Sequence, residues 1–304
     1  MSATSSSVMA VDLHWRLTHS SRLSDYPSGS AITYHDRQLF VVGDDAVAVQ
    51  VLDASYRPMR QVRTEDHPEP RIPKPVKPDY EASALVRDNH HHSLLVIGSA
   101  ATEKRKRLLL LPLSDHEHRI SRFDTTEFVS RIHHMGVREI NLEGVTAINA
   151  HMVLVNRGNL GYPHNHFIVT DSGFWKHQET APIRLAVTDT GPFVQDFVGI
   201  SDLCYLAERD LLLLCFSSEQ TTNAYDDGAI GLSYLGWIGA FSSQIAADRW
   251  LLDDMISLPG LDPVFRGQKI EGLHAVCGEA GKIIVRMVAD NDTGDTGIFE
   301  LTEE

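Results

Sequence analysis

Acidic residues recur along this chain in one local setting, at the opening of a short apolar run. Glu81-Ala-Ser-Ala-Leu, Glu143-Gly-Val-Thr-Ala-Ile, Asp202-Leu-Cys-Tyr-Leu and Glu271-Gly-Leu-His-Ala-Val share it, and Ser28-Gly-Ser-Ala-Ile is a further copy with a hydroxyl in place of the acid. Their first residues lie 53, 62, 59 and 69 positions apart, and the residues after Glu271 joined to those before Ser28 close a last interval of 61. Carboxylates brought together at one place repel, so either some are protonated or a cation lies among them. Hard oxygen donors with no interleaved thiolate or paired imidazole suit Ca²⁺, with Mg²⁺ second. The set expected at a metal is Ser28, Glu81, Glu143, Asp202 and Glu271. The alternative is that each acid only satisfies backbone donors of its own loop.

A second group of polar residues accompanies the first. Lys77 and Lys269 precede Glu81 and Glu271, and Asp44 with Asp45, Ser99, Arg157 with Asn159, Ser217 with Ser218, and Asp290 with Asn291 follow the next apolar run in each interval. Arg157, Lys269, Lys77, Asn159 and Asp290 are the expected contacts to a small anionic molecule. A guanidinium above a carboxylate-bound cation suits a phosphate ester, and equally an Arg at this place pairs with a ring acid.

These residues converge only if the chain is built from repeated units closed in a circle. Each interval reads as four short strands separated by polar turns, as in EASALVR, HSLLVIGSA, KRLLLLPLS and HRISRFDT. The fourth unit gives DLCYL, DLLLLCF, LGWIGAF and an outer strand near MISL; the fifth has only EGLHAV, KIIVRMVA and GIFEL. The segment AVDLHWRLTHS, within residues near Val11 to Ser20, is expected to supply the missing strand and remove an open sheet edge. The expectation is an all-β, five-bladed β-propeller of four-stranded blades, one domain over residues 1–304, its last blade closed by the N-terminal strand.

In such a fold the innermost strand begins, and the second strand ends, at the same rim. The turns on the opposite rim are minimal (YHDRQ, RDNHHH, INAH, LAERD, CGEAGK), whereas EDHPEPRIPKPVKPD, the helix-like TTEFVSRIHHM, RGNLGYPHN, SSEQTTNAYDDGAI and the helix-like QIAADRWLLDDMI all fall on the rim of the repeated acids. Long loops on one face of a rigid scaffold carry binding or catalysis. His90, His91 and His92 lie in a turn of the plain face, and His164 and His166 on the elaborated one. AYDDGAIG, with Asp226, and ADNDTGDTG lack the spacing of an EF-hand.

The net charge of −14 excludes broad nucleic-acid binding, and the one basic stretch, Lys104 to Arg107, reads as a solvated turn. The start carries no basic segment followed by an apolar export stretch, and no apolar run is long enough to span a bilayer. A cytoplasmic protein without membrane partners is expected, and Cys204, Cys215 and Cys277, without CxxC spacing, read as reduced core thiols. No nucleophile elbow, P-loop or dinucleotide fingerprint occurs.

INLEGVTAI, KIEGLHAV, YEASAL, GISDLCYL, VNRGN and VADNDTG resemble the phytase-like propellers with esterase-like activity and related bacterial propellers. More distantly, the five-fold count and the ring of Glu and Ser residues are similar to the calcium-activated nucleotidases, five-bladed propellers with a central Ca²⁺. The resemblance implies calcium at Ser28, Glu81, Glu143, Asp202 and Glu271, and hydrolysis of small phosphate or carboxylate esters. Other readings stay open: a scaffold whose cation staples the blades while the loop-rich face binds a protein partner or metabolite, and a lactonase-type propeller.

Overall fold

Residues 10–88, 91–113, 119–219, 221–223, 228, 230–291 and 294–304 are described in the computed structural model. They form five sheets, antiparallel except for one short parallel pairing, arranged as the blades of a propeller. Blade 1 comprises Gly29–His35, Gln38–Gly43, Ala48–Asp53 and Pro58–Arg63. Blade 2 comprises Tyr80–Asp88, His91–Gly98, Arg107–Pro112 and Ser121–Asp124. Blade 3 comprises Leu142–Ile148, His151–Asn156, His166–Asp171 and Arg184–Thr188. Blade 4 comprises Gly199–Leu206, Leu211–Glu219, Ile230–Ile238 and Asp254–Ser257. Blade 5 comprises Ile270–Cys277, Ile283–Asp290 and Thr296–Glu303, and takes its outer strand from Trp15–Leu23.

Burial explains the sequence patterns. Second strands are covered on both faces by neighbouring blades, so they read as unbroken apolar runs such as Leu211 to Phe216. The N-terminal strand has a solvated face and alternates buried and exposed positions. It pairs antiparallel with Thr296–Glu303 from Trp15↔Glu303 to Leu23↔Thr296, and the buried Trp15 indole meets Trp237 edge-on at 6.2 Å. The expected closure of the ring is therefore present.

Thr126–His134 is the helix expected there, with Phe128, Val129 and Ile132 buried. The helix-like QIAADRWLLDDMI differs: only Phe241–Gln244 is a helical turn, Arg249–Trp250 lies parallel to the outer strand of blade 3, and Asp254–Ser257 is an edge strand. The buried Trp250, tilted against Phe167 and edge-on to Phe241, fixes that extended path. Cys204, Cys215 and Cys277 are unpaired thiols within strands. No helix is long and apolar enough to cross a membrane among the described residues.

All five inner strands open with a bulge. Pairing with the second strand skips one residue in each blade, between Gly29 and Ala31, Tyr80 and Ala82, Leu142 and Gly144, Ile200 and Asp202, and Ile270 and Gly272. The bulged residues are thus Ser30, Glu81, Glu143, Ser201 and Glu271. A bulge re-aims the extra side chain, here at the mouth of the channel. The residue after it lies where neighbouring blades approach most closely. A Cβ on Gly144 would stand 2.8 Å from Asp202 Cα, and one on Gly272 2.7 Å from Ala31 Cα. The Glu-Gly pairs therefore join a ring side chain to a backbone contact.

Candidate functional site: a charged mouth at the propeller axis

The loop-rich end of the channel opens into a cavity of about 420 Å³. Eight carboxylates (Asp44, Asp45, Asp79, Glu81, Glu143, Glu219, Glu271, Asp290) and six cationic side chains (Arg71, Lys74, Lys77, Arg105, Arg157, Lys269) line it. Glu81, Glu143 and Glu271 come from the bulges; Asp44, Arg157 and Asp290 come from the ends of second strands. Ser28 and Asp79, each two residues ahead of a bulged residue, have φ of 54° and 56°, left-handed conformations that turn the chain into the inner strand.

The cations are interleaved with the acids. Lys269 Nζ lies 2.8 Å from Glu271 Oε1 and 3.4 Å from Glu219 Oε2. Arg157 places Nη2 3.1 Å from Glu219 Oε2 and Nη1 3.7 Å from Glu143 Oε1, and donates to Ser217 Oγ at 3.0 Å. Lys77 bridges Asp44 and Asp79, the latter at 2.8 Å, and Arg105 reaches Asp79 Oδ2 at 2.7 Å. Arg71 pairs with Asp45 at 2.7 Å and donates to Ser28 Oγ at 3.3 Å. Asn159 donates to Glu139 Oε2 at 2.6 Å and caps its own loop through Gly161 and Tyr162.

Glu81 is the exception, with no ion-pair partner among the described residues. Burial, then Asp79, Glu143, Asp44 and Glu271, push its pKa well above the ordinary range. Glu143 is pushed up to about 7, burial outweighing Arg157 and Lys269. Asp44 is pushed up to about 6 by burial against the pull of Lys77, with Asp79 and Asp45 adding to the rise. Glu271 is raised by burial despite Lys269, whereas Lys269 and Arg157 together hold Glu219 below its usual value against burial.

Asp202 does not line the cavity. It is the residue after the bulge, and its fully buried carboxylate accepts from Leu203 N and from Leu273 N of blade 5, both at 2.8 Å. Burial drives its pKa well upward. In blade 4 the position equivalent to the glutamates is Ser201, whose Oγ lies 2.7 Å from Ser217 Oγ; in blade 1 it is Ser30, which donates to Glu271 Oε2 at 3.4 Å, rather than Ser28. The Lys104 to Arg107 stretch is not uniformly solvated, because Arg105 is buried against Asp79. His90 and Asp226 lie outside the described residues.

Asp79, Glu219 and Arg71 were not singled out from the sequence, and Arg105 was read only as part of a solvated basic turn. Glu219 shares its strand with Ser217 two residues earlier, a spacing that places both on one face. Arg105 and Arg71 had no such signal, since surrounding loops bring them in.

Asp44, Asp79 and Glu81 each present an oxygen within 4.8 Å of the other two. That spacing fits a hard cation bound at 2.3–2.6 Å, roughly the range for Ca²⁺–oxygen contacts. Asp44 Oδ1 is buried without a hydrogen-bond partner among the described residues, so donor capacity is available. Lys77 engages Asp44 Oδ2 and Asp79 Oδ1 beside it.

The fold and the axial mouth define a five-bladed β-propeller with a charged central site. The chain belongs to a family of unknown function, DUF6929, whose model matches residues 25–302. No curated protein sequence matches it. It is similar to the glutaminyl cyclase of Myxococcus xanthus at 10% identity and a TM-score of 0.52, over 95% of this chain and 97% of that one. A virginiamycin B lyase from Staphylococcus aureus aligns at 8% identity and a TM-score of 0.41, over 95% and 99% of the two chains. The first likeness shows the fold alone. The family match gives the phytase-like resemblance no support, and the propeller fold is consistent with it.

Proposed function

We propose that the axial mouth binds a divalent cation, Ca²⁺ in preference to Mg²⁺, and with it a small polar ligand. The observation that carries this reading is Glu81, a carboxylate without an ion-pair partner among the described residues, beside Asp44 and Asp79 in an oxygen-only cluster. Asp44, Asp79 and Glu81 would hold the ion, in place of the wider set of Ser28, Glu81, Glu143, Asp202 and Glu271. Glu143 and Glu271 are engaged by Arg157 and Lys269, Asp202 by backbone donors, and Ser28 by Arg71. The test is calorimetric titration of chelator-stripped protein with Ca²⁺. Saturable binding lost in Glu81→Gln supports the reading, and unchanged binding in that variant refutes it.

Metal-assisted hydrolysis of a small phosphate or carboxylate ester is the second reading, and Glu143 favours it. A carboxyl held near pH 7 in a cavity is matched to general acid–base work. A bound divalent cation would polarise an ester oxygen and acidify a coordinated water. Asn141 Nδ2, donating to Glu143 Oε1 at 2.6 Å, orients the carboxyl so that it can take or return a proton. Arg157 and Lys269 would contact an anionic ligand by exchanging their present carboxylate partners for it. Turnover of chromogenic esters by the Ca²⁺-loaded protein, abolished in Glu143→Gln, distinguishes this reading from a scaffold that binds a protein partner through the loop-rich face.

A further inference from the structure

A second cavity, of about 460 Å³, lies on the plain face between blades 2 and 3. Its chemistry is opposite to that of the axial mouth. Leu85, Val86, Ala147, Met152 and Trp175 give it an apolar wall, and the described residues at its edge are mainly basic or imidazole side chains. Met152 and Trp175 are buried, whereas Arg87 and Lys176 are exposed. Asp88, the acid on this edge, is held by Lys176 at 2.5 Å, and His177 is held by Asp171 at 2.9 Å. Arg87 has no ion-pair partner among the described residues.

We infer that this cavity binds a small carboxylate with an apolar body, its tail against Met152 and Trp175 and its carboxylate at Arg87. A cavity of this size that joins an apolar wall to polar groups at its edge has the make-up of a small-ligand site. An Arg–carboxylate contact is charge-assisted and selects the anion. In a protein of net charge −14, an uncommitted cation at a pocket edge favours anions where most of the surface opposes them. The site is independent of the axial mouth and of any cation there.

The full chain is titrated by calorimetry with 2-naphthoate and octanoate, and with 2-naphthalenemethanol and octanol as uncharged counterparts. At least one carboxylate should bind saturably and its alcohol at least tenfold more weakly. Arg87→Ala should weaken the carboxylate roughly tenfold to a hundredfold, the range for one charge-assisted hydrogen bond. Ser172→Phe, at an exposed position lining the cavity, should block binding while the fold is retained. Absence of binding by both carboxylates, equal binding of the alcohols, or affinity unchanged in either variant would overturn the inference.

Discussion

Asp202 offers the sharpest test of how the axis is built. Both carboxylate oxygens take backbone N–H groups, Leu203 within blade 4 and Leu273 on blade 5, at 2.8 Å each. Asp202→Ala leaves two buried donors without acceptors, at about 1–3 kcal/mol apiece. Burial already disfavours the ionised carboxyl, as its raised pKa shows, so removal returns part of that cost. The expected net loss is about 2–4 kcal/mol, a large share of the roughly 5–15 kcal/mol that holds a typical domain together. Asp202→Asn keeps one acceptor and turns its amide group toward the other N–H, so it should lose about 1–3 kcal/mol. Urea unfolding followed by tryptophan fluorescence, in chelator and again with excess Ca²⁺, gives both quantities. The two substitutions should lower the midpoint equally with and without calcium, because Asp202 faces backbone and not the cavity. An unchanged midpoint in chelator, together with loss of the calcium-dependent increment, would refute this account and make Asp202 a ligand.

The other expectations follow the same geometry. Deleting residues 1–23 removes the outer strand of blade 5 with Trp15 and exposes an unpaired edge, so thermal scanning should show a fall in melting temperature far beyond that of deleting residues 1–9. Saturating Ca²⁺ should stabilise the native protein by roughly 3 kcal/mol at a hundredfold excess over its dissociation constant, read as a melting shift reversed by chelator. In Glu81→Gln that shift should vanish, while the chelated variant should be more stable than the chelated parent, because like-charge repulsion is relieved. Gly144→Ala should destabilise by about 1–3 kcal/mol, since the added Cβ meets Asp202 backbone at 2.8 Å, and denaturant midpoints measure it. Glu143 and Asp44 titrate near 7 and 6 in the fold against 4.5 and 3.8 ordinarily, so they favour the folded state at low pH and that contribution is lost as pH rises through about 6 to 7. Chelated protein should lose stability from pH 5 to 8 from these groups, and the calcium increment should grow over the same range as bound metal displaces protons.

Blade number, four strands to a blade and the closure by an N-terminal strand, expected near Val11 to Ser20 and found at Trp15–Leu23, were legible in the sequence because they depend on periodic burial, which leaves apolar runs and turn residues in the chain itself. The ring was legible less completely, and the reason is a shift of one or two residues. Spacing alone aligns Asp202 with Glu81, Glu143 and Glu271, because all four open an apolar run; the bulges instead align Ser201 and Ser30 with the glutamates. In a pleated strand a one-residue shift reverses the direction of the side chain, and at the axis it carries a carboxylate from the open mouth into the gap between blades. The Glu-Gly pairs held the clue. The position after a ring residue must be small or must itself serve the backbone, as Ala31, Ala82, Gly144 and Gly272 do in the first way and Asp202 in the second. The compensation was legible only in part, in Arg157 as a partner for a ring acid and in Lys77 and Lys269 ahead of Glu81 and Glu271. Arg105 and Arg71 arrive from loops whose course no periodicity encodes, and with Lys77, Arg157 and Lys269 they pair most of the acids locally. Acids gathered at one place repel unless something offsets them; the interleaved arginines and lysines do so for Glu143, Glu219 and Glu271, and among the described residues they leave Glu81 without an ion-pair partner.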